Sequence, residues 1–249
     1  VNEKVRPPPA EAVLAATILL LRDNPFEVLM VRRRSSSHFS SALVFPGGLL
    51  DPEDRDEAWL PHVTGAEGLS ETERALRIAA CRESYEESSV VLGGHVHGFE
   101  PGVPFIDIVS RQNAKLPLGD ISRFGHWITP ERAPKRFDTH FFIAAAPDGV
   151  EPKCDGDETV SLEWVRPVDA IARAEGGENT IIFPTLMNLR MLAKSRDVAS
   201  ALAHTRARTV FTVMPRVEKR PEGLFVIIPE EAGYGVTEHL APKVAGEAE

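Results

Sequence analysis

The stretch Arg77–Val91, RIAACRESYEESSVV, opens like the buried face of a helix and then sets Glu83, Glu86 and Glu87 within five positions. On a helical wheel the three carboxylates continue the stripe begun by Leu76, Ala79 and Ala80, while Arg77, Cys81 and Ser84 lie opposite. Upstream, Ser70 followed by Glu73 has the pattern of a capping box. A helix is therefore expected from there to about Ser88, with Gly93-Gly94 marking the break after it. Its acidic turn is unfavourable when left alone. Like charges at i,i+4 cost a few tenths of a kcal/mol, and negative charge at a helix C-terminus costs about 0.3–1 kcal/mol. Burial raises both costs. Two explanations remain at this point. One is a solvated acidic edge paired with Arg82 and neighbouring arginines. The other is a hard divalent cation such as Mg²⁺, which takes carboxylate, water and phosphate oxygens.

The chain around this helix has 249 residues, enough for one large domain or two small ones. Hydrophobic residues make up 43% and charged residues 26%, as in soluble globular proteins. A net charge of −9 disfavours general nucleic-acid binding. Cys81 and Cys154 are too few for a disulfide framework, which makes a reducing, cytoplasmic setting the default. Apolar runs such as AATILLL fall short of the roughly 20 residues of a membrane span. The polar, Pro-rich VNEKVRPPPAEA shows no signal peptide.

AVLAATILLLR and FEVLMVRR read as two strands joined across the turn signal DNP. Residues 51–69 are polar and turn-rich, as expected of a long loop or insertion. PFIDIVSRQNA reads as a helix, RFGHWITP and RFDTHFFIAAA as strands. ETVSLEWV alternates like a strand, followed by a short helix in PVDAIARA. PTLMNLRMLAKSRDVASALA reads as one or two helices, and TVFTVMPRV with GLFVIIPEE as a closing strand pair. Strands mixed with helices in this order argue for an α/β or α+β sandwich with a mixed sheet.

RESYEES, read with VFPGG before it, resembles the Nudix box, G-x5-E-x7-R-E-U-x-E-E-x-G-U with U aliphatic. Arg82, Glu83, Glu86 and Glu87 match its R-E…E-E core, and Gly48 matches its opening Gly. The chain departs from the pattern in three places. Gly48 to Arg82 spans 34 positions, which means 20 inserted residues. The first Glu of the box has no clean match: Asp54 stands at the right distance from Gly48, while Arg74, beside Glu73, fills the slot counted back from Arg82. Ser84 and Ser89 replace an aliphatic residue and a Gly. The long gap, HWITPERAPKRFDTHFFIAAAP and LFVIIPEEAGYG resemble the branch that includes peroxisomal coenzyme A diphosphatases and bacterial relatives.

The resemblance implies an α/β/α sandwich around a mixed β-sheet, and a Mg²⁺- or Mn²⁺-dependent hydrolase of a nucleoside diphosphate linked to another group. It implies metal ligation by Glu83, Glu86 and Glu87, with Arg82 orienting them. Gly47 and Gly48 would let backbone approach the phosphates. Glu158 would supply a further metal ligand or base; a solvated turn residue is its alternative. Arg34 and Arg136 are candidate phosphate contacts, with Arg136 and Asp138 expected as an ion pair. Arg32, Arg33, Arg34, Lys135 and Arg136 are the charges available to a coenzyme A 3′-phosphate, should their two segments converge. Cys81 is read as packing, and His38, His126 and His140 show no metal spacing. The domain is expected over 13–236, insertion and C-terminal extension included, between flexible segments at 1–12 and 237–249. The expected partner is a small-molecule diphosphate, with no nucleic acid and no membrane, and a homodimer is left open. The alternatives are a silent domain binding a nucleotide as a sensor, and a hydrolase of ADP-ribose or dinucleotides.

Overall fold

AVLAATILLLR alternates between two buried sides, and that alternation organises the molecule. Ala16, Ile18 and Leu20 point into one core, Leu19 and Leu21 into another. A strand buried on both faces belongs at the centre of a sheet covered by a layer on each side. The computed structural model describes residues 10–33, 42–94, 98–154 and 159–241.

The chain runs through β1 (Ala12–Arg22), β2 (Glu27–Arg33), β3 (Leu43–Val44), β4 (Gly47–Leu49) and β5 (Val63–Thr64) into helix α1 (Glu71–Ser88). Next come α2 (Phe105–Arg111), β6 (Leu116–Pro117), β7 (Ser122–Ile128), β8 (Arg136–Ala145) and β9 (Thr159–Val165). Helices α3 (Pro167–Glu175), α4 (Phe183–Leu192) and α5 (Val198–Ala207) follow. Strands β10 (Thr212–Val213), β11 (Arg216–Arg220), β12 (Gly223–Ile227) and β13 (Glu238–Leu240) close the fold.

The main sheet has eight strands, in the order β10-β7-β8-β1-β2-β3, with β4 also paired to β1 and β9 to β2. The β1–β2 hairpin is antiparallel, as the turn signal predicts. β1 and β8 run parallel in unbroken register from Ala12 opposite Arg136 to Leu21 opposite Ala145. The sheet is therefore mixed. One face packs on α1 and α2 through Leu76, Ile78, Ala79, Phe105 and Ile108. The other packs on α3, α4 and α5 through Ala170, Leu186, Leu189 and Ala201. This is the expected α/β/α sandwich.

Several details differ from the sequence reading. α1 is buried almost all round, Cys81 and Ser84 included, because the insertion and α2 cover the side opposite the carboxylates. The insertion is not a bare loop. It forms 3-10 turns at Pro52–Arg55 and Glu57–His62, pairs β5 with β6, and packs Trp59 against Phe105 with ring centroids 5.5 Å apart and the rings tilted by 44°. Ser70 caps α1 by accepting from the Glu73 amide at 3.1 Å, whereas the Glu73 carboxylate serves Arg77 and Arg123. The helix stops at Ser89, ahead of Gly93-Gly94, since Ser89 itself adopts the left-handed conformation (φ 60°) that the pattern's Gly would supply. The closing strand pair is β11 with β12; β10 instead joins the edge of the main sheet beside β7. β13, inside the stretch read as a flexible tail, pairs with β12.

Trp59→Ala tests whether the insertion belongs to the core. Removing this buried ring is expected to cost about 3–5 kcal/mol in urea denaturation. A loss under 1 kcal/mol would mean that the insertion is only draped over α1.

Candidate active site

Arg82 carries five N–H donors, and all five are used inside the protein. Nε and one Nη reach the two carboxylate oxygens of Asp54, both at 3.0 Å. The same Nη also donates to the Leu49 carbonyl at 2.8 Å. The other Nη donates to Glu83 at 2.8 Å and to Glu86 at 2.9 Å. Asp51 lies 3.5 Å from the guanidinium as well. Arg82 has no donor left for a substrate; its bonds are all to the protein, two of them to Glu83 and Glu86. Asp54, only 1% exposed and at the start of the insertion, stands where the box counted from Gly48 has its first Glu.

The glycines admit this packing. A Cβ on Gly48 would collide with the Glu83 carboxylate, and one on Gly47 with Thr17. The Gly47 amide donates to Glu87 at 3.1 Å. β4 thus lies flat against the acidic turn of α1, between that turn and β1.

Burial sets the electrostatics. It pushes the Glu83 carboxyl up to about 7; Arg82 opposes the shift, and Glu87 and Glu86 add to it. Burial likewise raises Glu86 and Asp54 against the pull of Arg82. For Arg82 burial works against the charge, but the bonds and charges of Asp54, Glu83 and Glu86 outweigh it and hold the guanidinium protonated. One guanidinium among four carboxylates within 3.5 Å leaves negative charge in excess. Hard oxygen donors in this state fit a divalent cation of the Mg²⁺ class. Glu83, Glu86 and Glu87 are the residues that would hold it.

Glu83, Glu86, Asp51, Arg82, Gly47 and Gly48 open onto a cavity of about 790 Å³. Its far walls are apolar: Phe45, Trp127, Phe137, Phe141 and Phe183, with Val217 and Val226 from the C-terminal strands. β8 contributes through Phe137, Thr139 and Phe141, so Arg136, one position before Phe137, falls on the opposite side of the strand. Arg136 instead donates to the carbonyls of Thr129 (3.1 Å) and Ala10 (2.7 Å). The expected Arg136–Asp138 ion pair does not form, because Asp138 faces His126 and His140. Nor does a basic cluster line the cavity: among the described residues Arg82 is its only Lys or Arg. Arg32 bonds Asn179 at 2.6 Å, and Lys135 lies exposed in a turn. Glu158, Arg34 and His38 lie outside the described residues. Cys81 is buried in the α1 core, as read, and burial pushes its thiol pKa up.

Sequence reasoning missed the aromatic wall and the histidines. Phe137 and Phe141 were legible as alternate residues of β8, but the side they face depends on register. His126 and His140 sit directly opposite each other on β7 and β8, a contact that linear spacing does not reveal. His140 is held neutral, its pKa lowered to about 4 by burial and by His126 and Arg123.

An acidic helix turn beneath a glycine strand, on a mixed sheet between helical layers, is the arrangement of the Nudix class. The NUDIX domain pattern matches residues 12–183, and the chain belongs to that family. It is similar to a Caenorhabditis elegans protein provisionally named nudix hydrolase 7, 27% identical over 74% of this chain and 61% of that protein. It is also similar to acyl-coenzyme A diphosphatase NUDT19 of Homo sapiens, 24% identical over 92% of this chain and 74% of that protein. The chain thus spans about three fifths of the length of the first of these relatives. The crystal structure of a NUDIX hydrolase from Alicyclobacillus acidocaldarius superposes with a TM-score of 0.66 at 27% identity, covering 78% of this chain and 96% of that one. Family, relatives and fold together support an enzyme of the pyrophosphohydrolase class. No described helix is long and apolar enough to cross a membrane.

Asp54→Ala should remove two of the five bonds of buried Arg82 and leave two of its donors unsatisfied, lowering stability by about 1–3 kcal/mol in urea titrations. Asp54→Asn should lose less, since it still offers one acceptor. Gly48→Ala should retain the fold by circular dichroism yet displace Glu83 and cut kcat.

Proposed function

We propose that this chain hydrolyses the diphosphate of coenzyme A or an acyl-coenzyme A, releasing 3′,5′-ADP and a 4′-phosphopantetheine product. The observation that carries the reading is the cavity itself. Its polar end holds the carboxylates, and its remaining wall is aromatic and aliphatic. A diphosphate placed at Glu83 and Glu86 would leave the pantetheine arm and its acyl group against Phe45, Trp127, Phe141 and Phe183. At about 790 Å³ the space falls in the range of small-molecule sites. Resemblance to acyl-coenzyme A diphosphatases at low identity supports the same class.

Nudix hydrolases are generally divalent-metal dependent. Bound Mg²⁺ or Mn²⁺ would supply charge neutralisation at the diphosphate and acidify the attacking water. The chain's own residues set the geometry. Arg82 fixes the Glu83 and Glu86 side chains. The Gly47 amide anchors Glu87, and Gly48 lets β4 approach the acidic turn. The apolar wall excludes water from the far end and orients the leaving arm. Glu158, as a further ligand or base, and Arg34, as a phosphate contact, extend this proposal on the resemblance alone.

Two measurements test it. Exhaustive chelation should abolish turnover, with recovery on adding Mg²⁺ or Mn²⁺; Glu86→Gln and Glu87→Gln should each lower kcat by orders of magnitude with the melting transition retained. Full activity in chelator, or near-normal kcat in both variants, would return the carboxylates to a solvated edge.

The substrate is tested by kcat/KM for an acyl-coenzyme A, coenzyme A, dephospho-coenzyme A, ADP-ribose and NADH. The acyl ester should rank first. Dephospho-coenzyme A should fall within a few-fold of coenzyme A, because no described basic cluster awaits the 3′-phosphate. A tenfold preference for ADP-ribose or NADH would overturn the substrate, and binding of all five without turnover would indicate a sensor.

A further inference from the structure

His126, Asp138 and His140 converge on the sheet face opposite the cavity. β8 alternates, so Phe137, Thr139 and Phe141 line the cavity while Asp138 and His140 point the other way, beside Leu14 and Ala16 of β1. His126 stands opposite His140 across the β7–β8 ladder, with the two rings stacked 4.1 Å apart. Asp138 Oδ1 lies 2.5 Å from His126 Nε2 and 3.2 Å from His140 Nε2. All three ligand atoms fall within 4.8 Å of one another. Ligand atoms around a tetrahedral zinc ion stand about 3.3 Å apart, which the site reaches by small side-chain adjustments.

The surroundings favour a cation. Among the described residues no Lys or Arg pairs with Asp138. Arg136 is spent on backbone carbonyls, and Arg123 on Glu73. The carboxylate is therefore faced by two imidazoles, and the Arg123 charge felt at His140 is offset by its Glu73 partner. His126 Nδ1 lies 2.7 Å from Thr212 Oγ1 on the edge strand β10, a contact that fixes its ring and leaves Nε2 facing Asp138. A hydrogen bond at the far ring nitrogen is the usual second-shell support of a metal-bound histidine. Asp138 and His126 keep 25% and 13% of their side-chain surface exposed, which gives an ion an entry path and leaves room for a water as fourth ligand.

We propose that His126, Asp138 and His140 form a second metal centre, separate from the diphosphate site, for a divalent transition cation of the zinc class. Two imidazoles and one carboxylate select such ions over Mg²⁺, whereas the all-carboxylate turn of α1 selects the reverse. Glu73, whose charge is felt at His140, precedes Glu83 by ten residues, about 15 Å along α1. The ion joins β7 to β8 directly and β10 through Thr212.

The test uses the full chain stripped with chelator and titrated with Co²⁺ in excess Mg²⁺, read by visible d–d absorption and then challenged with Zn²⁺. One equivalent of Co²⁺ should give a band that Zn²⁺ removes and Mg²⁺ does not. His126→Gln and Asp138→Asn should abolish the band, and Glu87→Gln should leave it intact. Thr212→Val should weaken binding roughly tenfold. Asp138→Asn keeps the shape and a hydrogen-bond acceptor, so it reports on the ligand even if His126→Gln fails to fold. No band, a band surviving Asp138→Asn, or a band lost in Glu87→Gln overturns the proposal; the cluster is then a hydrogen-bonded histidine–carboxylate network only.

Discussion

The saturated guanidinium of Arg82 is the constraint on which the site depends. Taking such a charge out of water costs several kcal/mol unless every donor finds a partner. Here five donors meet acceptors from the residue after β4's glycines, from the start of the insertion and from α1 itself. Each partner is thereby held in place. Asp54 has to be buried, Leu49 has to turn its carbonyl inward, and Glu83 and Glu86 have to lie on either side of one Nη. The flat approach of Gly47 and Gly48 follows, because only a strand without side chains there fits between the acidic turn and β1. The geometry of the acidic turn and local stability rest on the same bonds.

The cavity is built differently. Its polar end comes from one helix turn and one strand, close in the chain. Its apolar wall is gathered from β7, β8, the start of α4 and the C-terminal strands. Thr185, Pro215, Val217 and Val226 lie beyond the stretch 12–183 that the family pattern matches. The matched stretch carries both the acidic end and the aromatic residues Phe45, Trp127, Phe137, Phe141 and Phe183, and the part beyond it completes the wall.

This division explains what the sequence revealed. The acidic turn, its cap at Ser70 and the β1–β2 hairpin were legible because each depends on residues within a few positions of one another. The strand character of RFDTHFFIAAA was clear, yet which alternate side chains face the cavity is decided by pairing with β1, more than a hundred positions earlier. The burial of Cys81 and Ser84 was hidden for a related reason: the wheel shows α1 alone and not the insertion packed over it. Ser89 is the reverse case. The spacing pattern calls for Gly, and a Ser held by its hydroxyl bond to the Lys153 carbonyl adopts the same left-handed turn.

The Asp54–Arg82 pair also acts as a clasp. It joins positions 28 residues apart, more than three times the separation in the family's usual pattern. The entropy of closing a loop grows only with the logarithm of its length, so this lengthening costs about 1 kcal/mol. Trp59, packed against Phe105, offsets that sum by burying the insert on α1. Apart from its buried Trp59, the intervening stretch is therefore free to vary in length while both ends stay fastened. A search that demands fixed spacing between the glycine and the arginine would pass over chains built this way, although their active-site helix is unchanged.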